Sequence, residues 1–396
     1  MEMLQSALVS VVAFVLVLSV VVFVHEFGHF QAARWSKVAI DTFSIGFGRR
    51  LLGWKDRQGV DWKIGALPLG GYVKFKDDSD PTSSRPPTVD YTDPNQLAED
   101  RAKGLFHAQP VSTRAFVVAA GPMTNFIFAI AAFAAVGLAI GRDLTDYANL
   151  PVRVGAVEAG GAGEAGGLKR GDVIKTVAGA PVTTFGAFRE AVIASPGQPL
   201  SVGVDRNGQA LTLTMTPRSE SDGAKMIGRL GVGPLVLPED RNVQPMNPVE
   251  ALGFGAEQTW RIITLHGDFF AKLASPNPPT DQLSGPIGIF DQTGKVANAA
   301  VSGDKDFGGR IGDLALVLLS WAAMLSVAVG IVNLLPIPIL DGGHLVFYAV
   351  EAVRGRRLSE RAQEWSFRAG MVVLLSLFIF ATWNDLSRIL PRILPF

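Results

Sequence analysis

Two kinds of apolar pattern run along this chain. Four stretches are apolar at nearly every position: residues 4–24, 115–140, 311–335 and 367–383, the last with a compact core over 371–381. A run of about 21 residues makes a helix of roughly 31 Å, long enough to cross a hydrocarbon layer. The second stretch is interrupted by Gly121-Pro122 and carries Asn125. Elsewhere the spacing is shorter. Over 61–75 the pattern is broken by Pro68 and Gly70-Gly71, which predicts two short strands joined by turn chemistry. Residues 152–217 read as a soluble domain, with strands at 152–157, 200–205 and 210–216 and a helical stretch at 185–194. Asn207-Gly208 is its hairpin turn. Residues 77–101, rich in Asp, Pro, Ser and Thr, read as a surface linker, and 227–237 as a closing strand and connector. Residues 248–273 have helical periodicity, with Trp260, Ile263, Phe269 and Phe270 set to lie on the outer membrane surface.

The predicted fold class is a polytopic α-helical membrane protein of about four transmembrane helices, with a membrane-associated β-hairpin and an inserted α+β domain. The expected boundaries are a first transmembrane helix over 1–36, a cytoplasmic-side loop with the hairpin over 37–112 and a second helix over 113–141. The inserted domain follows over 150–220, then a connector with an amphipathic helix over 221–310, a third transmembrane segment over 311–350 and a fourth over 365–390. Composition agrees: 48% of the 396 residues are hydrophobic and 18% charged. The formal net charge of zero gives no sign of nucleic acid as a partner. The first run lacks the basic flank and small-residue cleavage site of a signal peptide, so it is read as a retained span. Arg34, Lys37, Arg49 and Arg50 follow the first span, and Arg354, Arg356, Arg357 and Arg361 lie between the third and fourth. The positive-inside rule makes both loops cytoplasmic, with the termini and the inserted domain outside.

The chemistry is concentrated where the first run ends, at His25-Glu26-Phe27-Gly28-His29. Histidines at i and i+4 share a helix face and can grip one zinc ion, while the glutamate between them can serve as general base. Ionisable groups at a span are costly and point to function; the competing reading is a polar cluster at a helix end. The chain has no cysteine, which leaves histidine and carboxylate as ligands. The third span runs into Asn333-Leu334-Leu335-Pro336-Ile337-Pro338-Ile339-Leu340-Asp341-Gly342-Gly343-His344. The prolines break the helix, and irregular backbone at membrane depth is tolerated only within protein or around a wet cavity. Asp341 can then turn toward the histidines, or alternatively cap the helix that follows it.

HEFGH on a first span together with NxxPxPxLDG on a later one resembles the site-2 protease family of intramembrane zinc metalloproteases, in its bacterial branch of envelope stress signalling. Leu69-Gly70-Gly71-Tyr72-Val73-Lys74 and Gly121-Pro122-Met123-Thr124-Asn125-Phe126 extend the resemblance over the membrane core. It implies that His25, His29 and Asp341 bind zinc (Zn2+), that Glu26 is the catalytic base, and that Asn333 holds substrate or stabilises the oxyanion. Asn333 equally fits a role in tying the broken helix together. The segment around Gly70, Gly71 and Tyr72 would pair with an unwound substrate as a re-entrant hairpin; a plain cytoplasmic hairpin is the alternative. His344 fits a role beside the ligands rather than among them, and His107 and His266 read as ordinary polar residues. The AGGLKRGDVI segment over 165–174 resembles a PDZ domain of bacterial envelope proteases, one copy where the family's best-known members have two. It would either capture a peptide or protein ligand or block access sterically.

The expected function is a zinc metalloendopeptidase of the bacterial inner membrane, active in regulated intramembrane proteolysis. Its partners would be the lipid bilayer and single-span membrane proteins such as anti-sigma-factor-like regulators or remnant signal peptides. The alternatives are a non-proteolytic membrane scaffold with a structural metal and a metal transporter. Glu26 speaks against the first, since a structural site needs no base. The lack of repeated intramembrane ligands speaks against the second.

Overall fold

The computed structural model describes residues 2–76, 93–222, 225–273, 275, 283–302 and 306–393. The chain divides into two compact units, Met1–Ala139 with Asn247–Phe396, and Ile140–Met246.

The first unit opens with α1 (Glu2–Trp35), followed by β1 (Ile40–Lys55) and β2 (Asp61–Phe75). These two long strands are bent. Residues 42–45 pair on one side with 61–64 and on the other with 71–74, while residues 50–55 pair with 61–65. The two expected short strands over 61–75 are thus two arms of one continuous β2, wrapped around residues 42–45 near the start of β1. Gly46 (φ 84°), Gly48 (φ 82°) and Gly70 (φ 139°) supply the conformations that the bends require. The outer arm, residues 71–75, has no second pairing partner among the described residues. The hairpin is fastened to the end of α1 through Asp56, which pairs with Arg34 and accepts from Trp62 Nε1 at 3.2 Å and Gln58 N at 2.9 Å. Burial opposes ionisation of Asp56, but these donors hold its carboxyl below the usual carboxylate range.

The expected linker over 77–101 lies outside the described residues as far as 92. Its remainder is a helix, α2 (Pro94–Ala102), whose first turn is capped by Asp93 accepting from Asn95 N at 2.9 Å. Next comes α3 (Val111–Ile140), which runs unbroken through Pro122; the expected interruption at Gly121-Pro122 does not occur.

In the second unit β3 (Arg142–Asp143), β4 (Val154–Val157), α4 (Ala162–Ala165), β5 (Val173–Val177), β6 (Ala180–Pro181) and α5 (Phe185–Ile193) precede β7 (Leu200–Arg206) and β8 (Gln209–Met215). β9 (Arg218–Asp222), β10 (Lys225–Arg229), β11 (Val232–Pro234) and β12 (Val243–Gln244) follow. A four-stranded sheet of order β6-β5-β7-β8 packs with α5 over Val154, Ile174, Phe188, Val202 and Val204. Asn207 (φ 55°) and Gly208 (φ 84°) form the tight turn from β7 to β8, as the tolerance of an Asn-Gly pair for positive φ predicts. The unit is wider than residues 150–220, because β11 pairs with β4 and β12 with β3.

The first unit resumes with α6 (Pro248–Leu273), α7 (Pro286–Val301), α8 (Phe307–Asn333), α9 (Asp341–Arg354) and α10 (Glu360–Ile393). Among the described residues, α1, α3, α8 and α10 are the four helices long and apolar enough to cross a membrane. Their outward faces carry exposed Leu8, Ile127 and Phe378, as lipid contact requires. α7 occupies sequence read only as connector. It packs on α1 and α8 through small residues, Thr293, Gly294 and Ala297, and Thr293 accepts from Trp321 Nε1 at 2.7 Å. Its N-terminus is closed by buried Asp385 of α10, which accepts from Gly288 N at 2.7 Å.

Candidate metal centre and active site

The site begins with a close crossing of α1 and α3. A Cβ at Gly28 would fall on the Ala120 carbonyl and the Thr124 hydroxyl, and one at Gly121 on the His29 ring. Only residues without side chains let the helices approach this far. At that distance α3 reaches both histidines. His29 Nδ1 donates to the Val117 carbonyl at 2.9 Å, which leaves Nε2 with its lone pair. His25 Nδ1 lies 3.1 Å from the side-chain amide of Asn125. Asn125 is fully buried, and its Oδ1 has no partner. With the amide turned by half a turn, Oδ1 accepts a hydrogen bond from His25 Nδ1–H, and His25 Nε2 keeps its lone pair.

The far wall comes from the break after α8. The chain turns through Leu335-Pro336-Ile337-Pro338, and α9 starts at Asp341 with Gly342 packed on the Leu334 and Leu335 carbonyls and Gly343 on that of Ile337. Leu340 is the cap residue and no side chain caps this helix. Asp341 Oδ2 points instead at the histidines, 3.2 Å from His25 Nε2 and 3.4 Å from His29 Nε2. The two Nε2 atoms are 3.2 Å apart.

Three groups from two segments more than 300 positions apart therefore converge, with one potential ligand atom each inside a 4.8 Å span. With both imidazoles holding lone pairs at Nε2, three acceptors face one another, and buried Asp341 Oδ2 has no hydrogen-bond partner. Such a cluster is repulsive unless a cation sits among the atoms, and two histidines with one carboxylate is a familiar zinc donor set. The residues present fit the metal.

A cavity of about 230 Å3 opens onto this cluster, and Glu26, Asn333, His344, Gly71 and Tyr72 line it. The free arm of β2 thus forms one wall. A Cβ at Gly71 would stand 2.8 Å from Glu26 Cγ. Gly70 is not among the lining residues; it faces the Phe47 ring and serves the bend. Phe75 stacks on Phe106, centroids 4.4 Å apart, and both close the cavity beside Val117 and Val118. His107 lies outside this cavity, next to Phe106, and His266 bonds back to the Ile262 carbonyl within α6.

Two histidines and a glutamate on a helix long enough to cross a membrane, with a carboxylate brought against them by a distant segment, are the architecture of an intramembrane metallopeptidase. The sequence profile of Peptidase family M50 matches residues 13–377, nearly the whole chain. A Rhizobium meliloti relative bearing a zinc metalloprotease name is 40% identical over 383 residues, covering 96% of both chains. Metalloprotease MmpA of Caulobacter vibrioides is 38% identical, again with 96% of each chain covered. The regulator of sigma-E protease RseP of Salmonella typhimurium is 30% identical across 97% of this chain and all of its own. The chain belongs to peptidase family M50, the site-2 proteases. It is a zinc metalloprotease of that type.

Proposed function

We propose that this zinc metalloprotease cuts single-span membrane proteins inside the bilayer of a bacterial inner membrane, with His25, His29 and Asp341 as its zinc ligands. The observation that carries the reading is the convergence of these three residues in one cavity with Glu26 and a free strand edge. When bound, zinc supplies Lewis-acid polarisation of the scissile carbonyl and of the attacking water. Glu26 takes a proton from that water as its oxygen bonds to the carbonyl carbon. It then delivers the proton to the amide nitrogen as the C–N bond breaks. Asn333 donates from its amide to the substrate backbone or to the oxygen on which charge develops.

A transmembrane helix hides its peptide carbonyls in its own hydrogen bonds, so it must unwind before attack. The arm of β2 at Gly71 and Tyr72 offers backbone groups that hold the unwound segment extended beside Glu26, and Gly70 sets the bend that brings the arm there. The substrates are single-span regulators of the anti-sigma-factor kind and remnant signal peptides. The Ile140–Met246 unit is a PDZ-like module on the periplasmic side, taking a peptide or protein ligand or turning away substrates with bulky outer domains. The test is Asp341→Ala. Zinc content and cleavage of a tagged single-span reporter should both fall by about 10-fold or more. Unchanged zinc stoichiometry and affinity would remove Asp341 from the ligand set.

A further inference from the structure

Arg114 and Glu351 stand apart from the groups used so far. Arg114 lies in the first turn of α3 and is 5% exposed. Its Nη2 donates to Glu351 Oε1 on α9 at 2.6 Å, and its Nε to the Gln109 carbonyl at 3.0 Å. The guanidinium carbon stands 4.8 Å from the centre of the Tyr348 ring, and that ring lines the metal-site cavity. Glu351 also faces Arg357 Nε at 3.4 Å, and Arg357 donates onward to the His107 carbonyl. Gly355, in the left-handed region at φ 67°, ends α9 just before Arg357.

Burying two ions is costly, and a buried pair is weak as a source of stability; its best-attested use is to fix one register among several. α9 needs such a device. Its only fully buried residues are Gly342 and Gly343, and its apolar packing on the core around Phe30 and Phe43 is the partial burial of Leu345 and Tyr348, a narrow seam that sets its position along the neighbouring helices only loosely. Asp341, at its first position, has to reach the histidines within a few tenths of an ångström. Arg114 sits one turn before Val117, the residue that orients His29. One ion pair therefore couples the helix carrying the carboxylate to the helix orienting the imidazole.

We infer that Arg114 and Glu351 are positioning residues for the metal centre, an inference that rests on the ligand assignment proposed above. The experiment uses the full-length chain purified in lipid nanodiscs, as Arg114→Gln, Glu351→Gln, the double variant and Asp341→Ala. Zinc affinity is read by competition with a chelator, next to kcat and KM on a single-span reporter and the thermal midpoint. Each single glutamine variant should weaken zinc binding about 10-fold or more, the scale for loss of an outer support of a metal site. It should lower kcat while KM stays near its normal value. The double variant should lose no more than the worse single one, since both remove the same coupling. Arg114→Lys keeps the charge and should retain most of the affinity. Should the glutamine variants fail to accumulate, Glu351→Asp carries the test: its shorter reach should weaken zinc binding while Arg114→Lys does not. Zinc affinity unchanged in the Arg114 and Glu351 variants, with Asp341→Ala still losing the metal, overturns the positioning role alone. Normal zinc affinity in Asp341→Ala overturns the ligand assignment and this inference together.

Discussion

Each histidine of the pair is held at the nitrogen that faces away from Asp341: His29 by the Val117 carbonyl, His25 by Asn125. That arrangement fixes tautomer and ring plane before any metal arrives. His25, Glu26 and His29 were legible in the sequence because helical spacing is local and five residues suffice to recognise it. Asp341 and Asn333 were legible only through the proline-broken segment around them. Asn125 was noticed within its apolar run but given no task, because its partner lies 100 positions away. The same scale governs stability in the second unit. Asp172 is buried, and Arg206 grips it with Nε at 2.7 Å and Nη2 at 2.8 Å. The Arg206 hydrogen bonds, helped by the Lys169 amide, hold this carboxyl below the usual carboxylate range against the opposing effect of burial. A depressed folded pKa adds stability above the unfolded value of about 3.9, and that stability is lost as pH falls through the folded value. Asp172→Asn should cost about 2 kcal/mol at neutral pH. The difference between variant and parent should shrink as the pH is taken well below 4. Thermal melts monitored by a probe in this unit check it; a pH-independent difference would contradict the assignment.

At the scale of elements, close packing without side chains makes the site. Gly28 and Gly121 set the α1–α3 crossing, and Gly342 and Gly343 seat α9 against the turn after α8. Gly121→Ala places a methyl group in the His29 ring, so zinc affinity should fall about 10-fold or more while membrane insertion is preserved. Chelator competition on the purified variant reads this, and wild-type affinity would mean that the crossing is looser than described. The long spans were legible because a membrane helix must be apolar nearly throughout. α7 was not, because its packing face is built of Gly, Thr and Ala rather than of large apolar side chains. The curl of the hairpin was not legible either. Its turn residues were visible, but which arm pairs with which depends on the wrapping of β2 around residues 42–45.

At the scale of the whole molecule, every group assigned to catalysis belongs to the unit formed by Met1–Ala139 and Asn247–Phe396. The inserted unit is chemically separable. Replacing residues 142–246 with a flexible linker should leave zinc content intact. If the module turns away bulky substrates, the deletion should also release cleavage of a reporter whose outer domain is untrimmed. Matched long and trimmed reporters decide the point: selective gain on the long one supports exclusion, and equal loss on both supports recruitment. The absence of cysteine makes side determination direct, since single cysteines at 55 and 357 should resist an impermeant external reagent in intact cells.

In the proposed mechanism Glu26 moves the proton at a zinc centre that it does not itself help to build. The most direct measurement is zinc content and single-span reporter cleavage by purified Glu26→Gln protein. Full zinc occupancy is expected, with cleavage reduced by at least about 100-fold, the scale of a lost general base. Near-normal cleavage by zinc-loaded Glu26→Gln protein would contradict it.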